Sequence, residues 1–96
     1  MTQHISRKTI DAFFDQIKGG ARLTCLANTY NEKAPGISGI VGKAGKTTIM
    51  LMRDDSLNTF WLNRPKRVRD VVELTNDTIT YKIGRDEHTA TWKVEA

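Results

Sequence analysis

Hydrophobic periodicity changes once along this chain, at Gly19-Gly20, and that change limits the fold more than any other feature. Before it, Ile10, Phe13, Phe14 and Ile17 fall at i, i+3, i+4 and i+7, the spacing that places all four on one stripe of an α-helix. The spacing predicts a helix over 7–18, with Ser6 as N-cap and the glycine pair as its stop. Arg7 and Lys8 sit in the first turn, where they oppose the helix dipole. That cost, about 0.3–1 kcal/mol per charge, is smaller than the roughly 1.5–3 kcal/mol from fully burying each phenylalanine. After Gly20 the period is 2: Leu23, Cys25 and Ala27 alternate with Arg22, Thr24 and Asn28, as in a strand with one buried face.

The alternating regime continues to the C-terminus in short pieces. Residues 37–43 contain Ile40 and Val41 but also Gly39 and Gly42, so this strand is expected to be bent or bulged. A tight turn at Ala44-Gly45 leads into 47–53, the most apolar strand, which ends at Asp54-Asp55-Ser56. A short strand around Trp61 follows at 59–63. Over 64–75, Val68, Val71, Val72 and Thr75 suit a helical stripe, while Val68, Val72 and Leu74 suit a strand face; the three valines favour the strand. Thr75-Asn76-Asp77 and Gly84-Arg85-Asp86-Glu87 read as turns around strands at 78–83 and 88–94. The fold class is therefore α+β, mainly β: one N-terminal amphipathic helix, then about six short antiparallel strands forming a small curled sheet or barrel. The 96 residues are expected to make one domain, 1–96, with its β region over 21–94.

Several functional classes are disfavoured by composition. No apolar run approaches the roughly 18 residues of a membrane span, and 1–5 is too polar for a signal peptide. A cytoplasmic protein without membrane contact is expected. Cys25 is the only cysteine, which rules out a disulfide framework and a cysteine-based zinc site.

Catalytic motifs are tested and rejected on similar grounds. The run from Gly39 to Thr47 ends in Gly-Lys-Thr, but a phosphate-binding loop puts glycine at position 40, where this chain has Ile40, and a helix follows it in place of a strand. Cys25 falls on the apolar side of its strand, where a thiol acts as a small hydrophobe. His4 and His88 lack the neighbouring carboxylates of a metal or triad arrangement. Asp54-Asp55 and Asp86-Glu87 read as turn residues before acid-base couples. No catalytic residue, cofactor site or metal site is expected.

What remains is charge. The net charge is +4, which favours acidic partners. Its densest cationic cluster is Arg64, Lys66, Arg67 and Arg69, directly after Trp61 and held by Pro65. Such a segment presents guanidinium groups to phosphates while an aromatic face stacks on a base. The competing reading makes Trp61 core and the cations a solvated edge that protects an outer strand. Asp54, Asp55, Asp70 and Glu73 are near enough in sequence to neutralise part of the cluster. Lys43, Lys46 and Arg53 extend it if curling brings the 43–46 turn close.

The layout also resembles small bacteriophage and prophage accessory proteins with a Src-homology-type barrel. The likeness is carried by a short helix, Gly20-Ala21-Arg22-Leu23-Thr24 entering a strand, Asn28-Thr29-Tyr30 leaving it, Trp61-Leu62-Asn63-Arg64-Pro65-Lys66 ending another, and the hairpin Asp77-Thr78-Ile79-Thr80. It implies a protein that acts by binding. The leading expectation is a non-enzymatic module that engages nucleic acid or a nucleoprotein complex. The alternatives are a stoichiometric inhibitor of a host protein, from defence or transcription, and a homo-oligomeric structural or virion component.

Overall fold

The computed structural model describes residues 4–31, 33–83 and 88–95. It contains α1 (Arg7–Asp15) followed by β1 (Arg22–Asn28), β2 (Ser38–Ala44), β3 (Thr48–Arg53), β4 (Thr59–Asn63), β5 (Val71–Leu74), β6 (Thr78–Ile83) and β7 (His88–Glu95). All seven strands join one antiparallel sheet in the order β4-β3-β2-β1-β7-β6-β5. Two meanders, β1 to β4 and β5 to β7, are stitched together by the pairing of β1 with β7. The sheet is not closed: β4 and β5 are its two edges. No described helix is long and apolar enough to cross a membrane.

Ser6 caps α1 as its sequence position predicts. Its hydroxyl accepts from the Thr9 backbone N–H at 3.2 Å, while the Ser6 backbone N–H donates to the Thr9 hydroxyl at 2.9 Å. The regular helix stops at Asp15, three residues short of the expected end, but a last turn carries the stripe onward through Ile17 N–H to Phe14 C=O. Ile10, Phe13, Phe14 and Ile17 are all buried against the sheet, together with Leu23, Val41, Ile49, Leu51, Leu74, Ile79 and Trp92. Gly20 then turns the chain into β1 at φ +94°, a left-handed conformation that a Cβ would strain.

Three bulges curl the sheet. In β1 a register shift lies between Cys25 and Ala27, so the expected alternation breaks and Ala27 is exposed beside a half-exposed Leu26. In β2 the shift lies between Val41 and Lys43, at the glycine that the sequence marked for bending. In β5 it lies between Val71 and Glu73.

The expected strand over 64–75 is corrected by the structure. Residues after Asn63 leave the sheet, Val68–Asp70 form a single 3-10 turn, and only Val71–Leu74 pair. The bulge buries Val71 and Leu74 and leaves Val72 exposed, so neither stripe read from sequence is the one buried. Pro65 has no N–H to give to a ladder, which suits it to this excursion. The expected turn at 84–87, Glu32 of the 31–36 loop and the ends 1–3 and 96 lie outside the described residues.

Candidate nucleic-acid interface

Local pairing explains how the cations gather. Thr48 of β3 stands opposite Asn63 of β4, and Arg64 N–H donates to Thr47 C=O at 2.8 Å. The end of β4 is thereby held against the β2–β3 turn that carries Lys46. From the other side, the Arg7 guanidinium donates to Lys66 C=O at 3.3 Å, which brings the first turn of α1 to the same place. The result is a hollow of about 620 Å³ lined by Arg7, Lys46, Thr47, Asn63, Arg64, Pro65 and Lys66, with no carboxylate among the described residues of its wall.

Arg64 is the anchor of this hollow. Its guanidinium lies 4.9 Å from the centre of the Phe14 ring, a cation–π contact that ties the site to the helix core. Its Nε is buried with no hydrogen-bond partner among the described residues. Lys46, Arg64 and Lys66 make no ion pair among the described residues; Arg7 reaches Asp11 only at 4.0 Å. The acids expected to neutralise the cluster are engaged elsewhere or alone: Asp54 pairs with Arg22, Asp55 with Arg53, and Asp70 and Glu73 meet no described cation within 4.0 Å. The Arg53–Asp55 contact also withdraws Arg53 from the patch, holding the Asp55 carboxyl below the usual range through its two hydrogen bonds at 3.0 Å.

The other expected residues divide. Lys43 lines a neighbouring hollow of about 410 Å³ that shares Arg64 and also takes in Asp15, the last residue of α1, and Lys18 beyond it. Arg67 and Arg69 are exposed and line none of these hollows, because the 3-10 turn carries them away from β4. Trp61 is 57% exposed, which settles the choice against a core tryptophan. It faces Met50 on the outer side of the sheet, while its neighbours Phe60 and Leu62 face inward.

Asn63 belongs to a second cavity as well. A cleft of about 610 Å³ lies along the open seam of the sheet, between β4 and the inner faces of β6 and β7. Phe60, Tyr81 and Trp92 line it, with the Phe60 and Trp92 rings 5.7 Å apart. Tyr30, 72% exposed and edge-on to His88, and Trp61 complete its border. One end is pinned where the Tyr81 hydroxyl donates to Asn63 C=O at 2.6 Å; burial of that phenol pushes its pKa far up, so it stays a donor. The Cys25 thiol is likewise raised by burial, the opposite of an activated nucleophile.

Reading the sequence missed Arg7 and the seam aromatics Tyr30, Phe60, Tyr81 and Trp92. Arg7 did leave a signal: a cation in the first turn, against the dipole, with no acid in that turn. The seam left none, since it exists only where strands distant in sequence face each other. No protein-family model, curated protein or solved structure matches this chain, and the functional reading rests on this geometry.

Proposed function

We propose that this chain is a non-enzymatic nucleic-acid-binding module that holds phosphates in the hollow between the start of α1, the β2–β3 turn and the end of β4. The observation that carries this reading is the convergence of Arg7, Lys46, Arg64 and Lys66 around one hollow with no carboxylate among its described lining residues. Cations placed together repel one another, and an anion that neutralises them offsets that repulsion while releasing its own counterions. Arg64 in its wall suits the same ligand, because a guanidinium prefers phosphate or carboxylate acceptors arranged as a fork. Fluorescence anisotropy of labelled single- and double-stranded DNA and RNA at two salt concentrations tests it. Binding that weakens steeply with salt is expected; absence of binding at low salt overturns it.

A second reading, a stoichiometric inhibitor docked on a host protein, is favoured by the exposed Leu26, Met52, Trp61 and Val72. Capture from a host lysate with and without nuclease separates the two, since a protein partner survives nuclease treatment and one bridged by nucleic acid is lost.

A further inference from the structure

We propose that the seam cleft is a nucleobase site, so that the ligand is a single strand with one unpaired base in the cleft and its phosphates over the cationic hollow. This rests on the nucleic-acid reading above and specifies the form of nucleic acid.

Size and chemistry both point to a neutral planar group. The cleft, about 610 Å³, falls within the roughly 300–1,000 Å³ of ligand pockets. No charged residue among the described ones lines it, and its accessible aromatic surface comes from the exposed Tyr30 and the half-buried Phe60, since Tyr81 and Trp92 are buried. Aromatic surfaces of this kind stack on any base, because every base has a π-face.

Polar groups for the edge of a base come from β4 itself. In an antiparallel ladder, residues alternate between those that bond the neighbour and those that point their N–H and C=O away from it. Arg64 bonds back to Thr47, just before β3, and Asn63 C=O points across the seam to Tyr81. The alternation therefore aims the N–H and C=O of Trp61 at the seam, where β4 has no partner strand. The Asn63 carboxamide, exposed and without a hydrogen bond among the described residues, adds a donor and an acceptor. A fixed donor beside a fixed acceptor complements the Watson–Crick edge of an unpaired base. Charge supplies the remaining constraint: Asn63 borders both cavities, so the base site adjoins a phosphate site along one backbone. A duplex keeps its bases stacked and paired, and using the cleft would require extruding one.

Anisotropy at low salt with three labelled probes of equal length tests this: a single strand, the same strand with abasic residues, and a duplex. The single strand is expected to bind about 5- to 150-fold more tightly than the abasic one, the range for stacking one base. Tyr30→Ala and Phe60→Leu are expected to bring the single strand down toward the abasic value and to leave the abasic value unchanged. A general folding defect would weaken both probes alike, and circular dichroism of each variant checks for it. Equal binding of abasic and base-bearing strands, or tighter binding of the duplex, overturns the base site and leaves the phosphate reading standing. No binding of any probe overturns both.

Discussion

Removing Lys46 and Lys66 isolates the electrostatics of the proposed interface from the stability of the fold. Both side chains are exposed, and neither makes an ion pair or side-chain hydrogen bond among the described residues. Alanine at both positions therefore subtracts charge with almost no folding contribution, unlike a change at Arg64, which also removes the contact with Phe14. If each of the four cations lining the hollow neutralises one phosphate of a single strand, log K falls with log salt at a slope of about −2.8. Between 50 and 200 mM salt the parent then loses about 50-fold in affinity. The double variant keeps two contacts, so its slope is about −1.4 and its loss about sevenfold. Anisotropy titrations across that salt range, with circular dichroism to verify folding, read both slopes. An Arg67→Ala/Arg69→Ala variant is the control and keeps the parent slope, because those side chains line neither cavity. An unchanged slope in the lysine variant, or the larger drop in the arginine variant, refutes the assignment of phosphates to this hollow.

The fold yields further predictions. A Cβ at Gly39 would collide with the Met52 backbone, whose carbonyl carbon is only 2.8 Å away. Gly39→Ala should cost at least about 1–3 kcal/mol, because main chain in mid-strand yields less than a side chain; a thermal melt with an unchanged midpoint would contradict this. Ser6→Ala deletes the hydroxyl that accepts from the Thr9 N–H, leaves the Ser6 N–H bond to the Thr9 hydroxyl in place, and should cost about 1 kcal/mol, read as a lower urea midpoint with little change in slope. Burial raises the pKa of both Cys25 and Tyr81 in the folded chain. The unfolded chain therefore releases protons first, and stability should be full at neutral pH and decline from about pH 9 upward, past the ordinary values of 9.0 for the thiol and 10.0 for the phenol. Urea midpoints that hold constant from neutral pH to well above the ordinary phenol value would count against this, and Cys25→Ala should flatten the first part of the decline.

Outside 64–75, periodicity and local chemistry alone determined which segments are helix and strand, because these depend on residues within a few positions of one another. The stripe of Ile10, Phe13, Phe14 and Ile17, the Ser6 cap, the bend at Gly42 and the strand at Thr59–Asn63 were all legible in that way. The 64–75 segment was not, since two apolar patterns overlap there and the bulge in β5 buries a third set, Val71 and Leu74. The candidate interface was half legible: Arg64, Lys66 and Trp61 stand close in the chain, so composition exposed them. Only tertiary structure decided that Lys46 and Arg7 join Arg64 while Arg67 and Arg69 do not. That choice depends on the register of β3 against β4 and on where the helix docks, contacts made across dozens of residues. The exposure of Trp61 was decided in the same way: its place on the outer face follows from the inward packing of Phe60 and Leu62. The seam follows from curvature, because three bulges bring β4 opposite β6 and β7 without closing the sheet, and no local pattern encodes the distance between two edges.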